Sequence, residues 1–142
     1  MMKKKYLVIA VLIIVLVALV VFLYVFRKSK DSVEGMKPDF VMSSNELVSA
    51  FESDEKIAND KYVNKIIEVS GVIAEINDDS AYVTYVLRDD NAFSGVSCSI
   101  KKSKTGKQSE KKYEIGDSIT LKGICNGFLM DVVLNKGTVV KP

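Results

Sequence analysis

The chain reads as a mainly β protein: a five-stranded closed barrel led by one α-helix, behind a single N-terminal transmembrane helix. Three observations predict it. An uncharged apolar run of 21 residues extends from Tyr6 to Phe26. From Lys65 onward the hydrophobic period is two, and turn clusters cut it into five short strands. Between these regions, an S-x-x-E box opens a stretch of helical periodicity.

At about 1.5 Å per residue, a helix over residues 6–26 crosses a hydrocarbon core of roughly 30 Å. Lys3, Lys4 and Lys5 precede it in a short basic tail (1–5), and Arg27, Lys28 and Lys30 follow it. The run exceeds the apolar region of a cleaved signal peptide, and neither a small-x-small site nor a cysteine follows, so the helix is expected to be retained. The tail's lysines are undiluted by acid, which favours the tail inside and residues 31–142 outside. The expected location is therefore the cell membrane, single-pass, with an extracytoplasmic domain. Phe22, Tyr24 and Phe26 suit an interfacial aromatic belt.

Residues 27–42 lack periodicity, contain Gly35 and Pro38, and read as a linker to a domain at 43–142. Ser43 and Glu46 have capping-box spacing. Leu47, Val48, Phe51, Ile57, Ala58 and Tyr62 then predict one helix over about 44–61, loosened near Ser53-Asp54. The first strand (65–76) alternates Ile67, Val69, Gly71 and Ile73 against Glu68 and Ser70. Asn77–Ser80 forms a turn, and a second strand covers 81–88. A further turn at Asp89-Asp90-Asn91 leads to a third strand at 95–100, with Val96, Cys98 and Ile100 inward. Residues 101–112 are polar and lysine-rich. The fourth strand, 118–125, turns Ile119, Leu121 and Cys125 inward; Asn126-Gly127 reads as a hairpin turn before the fifth, 131–140. A long first strand with a central glycine suits the bend by which it serves both halves of an OB barrel.

Composition narrows the chemistry. Residues 35–142 hold 14 basic and 16 acidic side chains, so the formal +2 of the chain belongs to its membrane flanks. A mildly acidic domain is a poor electrostatic footprint for a nucleic-acid binder. Roughly 105 residues suffice for one small core. Histidine is absent, which removes Ser-His-Asp and Cys-His catalysis and histidine metal sites. Gly106-Lys107 fails the P-loop spacing, because Lys101 and Gln108 stand where glycine and Ser or Thr are needed.

The stretches DEKIANDKY (54–62), NKIIEVSGVIAEI (64–76), VSCSI (96–100) and GDSITLKGICNGFLMDVVL (116–134) together resemble the bacterial tRNA-anticodon-binding-like OB-fold family. The resemblance covers about 90 residues. It implies an OB fold on membrane- or envelope-anchored proteins, without establishing tRNA binding. Many members carry a further cysteine after D-V-x-L, where this chain has Gly137. Cys98 and Cys125 remain, and two readings stay open for them: a disulfide across the barrel, or two buried thiols.

The candidate surface residues are Tyr82 and Phe93, on or beside the strands where OB folds stack ligands, and Lys101, Lys102, Lys104 and Lys107. Alternation puts Tyr82 and Tyr85 on opposite faces. Asp131 suits a turn that binds backbone amides. The adjacent acids Asp78-Asp79 and Asp89-Asp90 sit in turns, and no catalytic, cofactor or metal set is expected. The expectation is a membrane-tethered, non-catalytic module that binds a ligand or an envelope protein, with nucleic acid disfavoured. Oligonucleotide or tRNA binding is the alternative, and the oligomeric state is open.

Overall fold

The computed structural model describes residues 2–27, 32–103 and 112–140. The chain divides into two units, Met1–Lys30 and Asp31–Pro142. The first holds α1 (Met2–Arg27), which over Met2–Val25 is long and apolar enough to cross a membrane. The second holds β1 (Phe40–Ser43), α2 (Ser44–Ser53), α3 (Glu55–Tyr62), β2 (Ile66–Asp78), β3 (Tyr82–Leu87), β4 (Val96–Lys101), β5 (Ser118–Phe128) and β6 (Val132–Val139).

Strand order β1-β2-β3-β4-β6-β5, with β2 also paired to β5, closes β2–β6 into a five-stranded barrel and leaves β1 as an added strand. Closure removes the free sheet edges of those five strands. The 13-residue β2 makes it possible: residues 66–72 pair with β5 and residues 73–78 with β3. Gly71 stands at the changeover. A Cβ there would lie 2.5 Å from Ser44 Oγ and 3.2 Å from Leu87 Cβ, so its absence lets the start of α2 sit against the barrel. Inward alternation buries Ile67, Val69, Leu87, Val96, Cys98, Leu121, Cys125 and Leu134 completely. Each large apolar side chain so buried contributes about 1.5–3 kcal/mol. Phe51 of α2 extends this core, its ring 6.0 Å from that of Tyr62 and 5.9 Å from that of Phe128.

Three local features depart from the sequence reading. The segment read as linker supplies β1, which runs parallel to β2 in the register Phe40↔Ile67. Asp39 clamps it: its N–H donates to the Ile66 carbonyl (2.7 Å) and its Oδ2 accepts from the Ile66 N–H (2.8 Å). Upstream, buried Val33 donates its N–H to the Lys136 carbonyl (3.0 Å), and Lys122 Nζ donates to the Met36 carbonyl (2.6 Å).

The single predicted helix is two. Ser43 and Glu46 form the expected reciprocal cap of α2. Asp54, extended at φ −157° and ψ 97°, then ends α2 and starts α3. Its N–H donates to the Ala50 carbonyl, and its Oδ1 accepts from the Ile57 N–H (3.0 Å).

Asn126-Gly127 is a bulge rather than a hairpin. The β5–β6 register shifts between Cys125 and Gly127, with Gly127 at φ +125°, a conformation that side chains resist. The chain reverses at Leu129–Asp131 instead, where the Leu129 N–H donates to the Asp131 carbonyl (3.1 Å).

Candidate functional site: a groove on the barrel wall

The outer face of β3, β4 and β6 gathers the polar groups. Tyr82 lies opposite Lys101, Thr84 opposite Ser99, and β6 runs parallel to β4 with Cys98 opposite Leu134. Cys98 and Leu134 point into the core, so alternation turns Ser99 and Asn135 outward. Tyr82, Ser99, Lys101, Asn135 and Lys136 line a groove of about 410 Å³. The Ser99 hydroxyl is oriented by a 3.0 Å hydrogen bond with Thr84. Lys136 adopts φ 52°, and its carbonyl is the acceptor for Val33 described above. One aromatic ring, two ammonium groups, an amide and a hydroxyl suit a small anionic ligand. Shape and donors are present.

The predicted surface residues divide. Tyr82 and Lys101 meet in the groove. Lys102 lies one residue beyond it, ion-paired with Asp78, its N–H donated to the Ala81 carbonyl (2.9 Å). Lys104 and Lys107 lie outside the described residues. Phe93 is 98% exposed in the β3–β4 loop, at the far end of β3, roughly 17 Å along the strand from Tyr82. It does not share a stacking platform with Tyr82. Asp131 holds that loop to the β5–β6 turn: its Oδ1 accepts from the Gly95 N–H (2.7 Å), and the Gly95 carbonyl accepts from the Val132 N–H (2.9 Å). Tyr85 faces inward, edge-on to Tyr113 with centroids 6.1 Å apart. Burial, then the neighbouring Tyr113 and Asp78, push its hydroxyl pKa up.

Ser99, Asn135 and Lys136 are the groove residues that sequence reasoning missed. Their local signal is weak: alternation shows Asn135 facing out, but only the parallel β4–β6 pairing brings it beside Ser99 and Lys101.

Of the two readings left open for Cys98 and Cys125, the structure has the pair of buried thiols. Both are free and buried. Leu134 of β6 is opposite each of them, so β6 runs between their strands. Two strand spacings, about 9 Å, exceed the roughly 7 Å that a disulfide tolerates between Cα atoms. Burial pushes the Cys98 thiol up to about 12. Burial also raises Cys125, against a lowering hydrogen bond from the Gly127 backbone. Asp78 is held by Lys102, and Asp79 Oδ1 accepts from the Ser80 N–H (2.5 Å), so these acids serve the turn. Among the described residues no group of three or more His, Cys, Asp or Glu is placed to hold a metal ion.

The sequence pattern described as tRNA_anti-like matches residues 1–139. The chain belongs to that family. No curated protein matches this tRNA_anti-like chain. Among solved structures it is similar to a lipoprotein from Klebsiella pneumoniae subsp. pneumoniae MGH 78578, described as a candidate nucleic acid-binding protein. The TM-score is 0.53 at 19% identity, over 70% of this chain and 91% of the other. It is more remotely similar to an aspartyl-tRNA synthetase from Entamoeba histolytica, with TM-score 0.40 and 13% identity, over 57% of this chain and 19% of the other. The tRNA_anti-like barrel therefore shares its fold with a lipoprotein at nearly full coverage of that protein.

Proposed function

We propose that this tRNA_anti-like protein is a membrane-tethered, non-catalytic binding module that presents the β3–β4–β6 groove to a component of the membrane or envelope. The observation that carries the reading is the convergence of Tyr82, Ser99, Lys101, Asn135 and Lys136 in one groove. The apolar α1 supports retention at a membrane, and tethering raises local concentration so that weak contacts suffice. The test is photo-crosslinking in cells, with the full chain carrying a crosslinker at Asn135 or, as control, at Glu52 on α2. Adducts from Asn135 alone are expected. Adducts no different from those of an anchor-only control would sink the reading.

Oligonucleotide binding is the second reading. Tyr82 opposite Lys101 favours it, as does the name of the similar lipoprotein. It requires retention of single-stranded RNA or DNA at low salt and a steep loss of binding as salt rises.

A further inference from the structure

We propose that the groove takes an anionic, phosphate-bearing headgroup of the anchoring membrane; this rests on the groove being the binding surface. Three observations converge on it.

The first is the path of the tether. Val33 is buried in the barrel unit and donates its N–H to the carbonyl of Lys136, a residue that itself lines the groove. Lys122 on Met36 and the Asp39 clamp on Ile66 hold the following residues to the barrel. The tether is therefore stitched to the wall beside the groove, and the covalent path from Arg27 to Val33 is six residues, at most roughly 20 Å. Headgroups extend the bilayer by roughly 5–8 Å beyond the hydrocarbon on each side, so they lie within that reach.

The second is the donor set. Lys101 and Lys136 supply ammonium groups, Ser99 and Asn135 supply neutral donors, and Tyr82 supplies an apolar ring with a polar tip, a side chain suited to the headgroup level. The third is size. About 410 Å³ fits one headgroup. A single-stranded nucleic acid needs a track of stacking rings, and the next exposed ring, Phe93, stands at the other end of β3.

The chain has no tryptophan, so Tyr82→Trp places a single reporter in the groove. The full chain carrying this reporter, in phosphatidylcholine nanodiscs, would be titrated with short-chain phosphatidylglycerol, short-chain phosphatidylcholine, inorganic phosphate and a single-stranded oligonucleotide. Saturable emission change with phosphatidylglycerol, and a far weaker one with the other three, is expected. Lys101→Gln and Lys136→Gln should each weaken that binding about fivefold, near 1 kcal/mol, and Lys136→Arg should largely restore it. Unchanged thermal melts of these variants would assign the loss to the groove.

Inorganic phosphate binding as tightly as the lipid would overturn the membrane source in favour of a free phosphate. Tighter oligonucleotide binding, lost in the lysine variants, would overturn the headgroup while leaving the groove as the binding surface. No response to any probe, beside positive crosslinking from Asn135, would do the same in favour of another envelope ligand.

Discussion

Gly71 illustrates how a single atom matters in a barrel this small. Adding a methyl group there drives it into Ser44 Oγ and against Leu87, both packed where β2 changes partners. Gly71→Ala is expected to destabilise by about 1–3 kcal/mol, read as a lower urea midpoint. Adding Ser44→Gly should recover part of the loss, a coupling that a double-mutant cycle would measure. The thiols make a second residue-scale prediction. Folded Cys98 holds its proton up to about 12, and Cys125 is also raised. Unfolded thiols release theirs near 8.5, so between those values the unfolded state binds fewer protons than the folded one. Stability is therefore undiminished below about pH 8.5 and falls as pH rises through this window; Cys98→Ala should flatten the slope of urea-derived stability against pH. The inward placement of both cysteines was legible from alternation alone. Their separation was not, because it depends on β6 entering between two strands that sequence order makes neighbours.

At the scale of elements, Asp54 is a hinge built from one carboxylate and one N–H. Asp54→Ala removes the cap of α3 and is expected to cost about 1 kcal/mol, with the urea midpoint lowered and the slope unchanged. Asp131 does comparable work between two loops. Asp131→Ala leaves the part-buried Gly95 N–H without its acceptor and should cost about 1–3 kcal/mol, while Asp131→Asn, which keeps an acceptor oxygen, should cost less. Periodicity revealed the helical stretch, read as one helix where there are two, and all five barrel strands, because their patterns are local. It missed β1 because four residues, Phe40–Ser43, carry no alternation long enough to count, and their parallel partner begins 27 positions further along the chain. It misread Asn126-Gly127 because the same dipeptide chemistry that makes a tight turn also makes a bulge, and only the β6 register distinguishes them.

For the whole molecule, the tether and the groove make one mechanical proposal. Inserting a flexible Gly/Ser segment after Lys30 should leave the melting of the barrel unchanged, because the stitched residues begin at Val33. The same insertion should weaken headgroup engagement in phosphatidylglycerol nanodiscs, since effective concentration falls roughly as the −3/2 power of tether length. The class of the fold was legible because a closed barrel needs only strand count, inward alternation and one bent strand. The groove was half legible: Tyr82 and Lys101 face each other across adjacent strands, whereas Asn135 and Lys136 reach them from the end of the sequence.

The burial of both native cysteines has a practical consequence. To a maleimide that cannot cross a bilayer, the native chain is its own blank, because its two thiols are shielded from solvent on whichever side the barrel lies. A cysteine placed at Phe93, which is 98% exposed, becomes the one reactive thiol without any background to remove. Modification of Phe93→Cys in intact cells would put the barrel outside, and modification only after lysis would put it within.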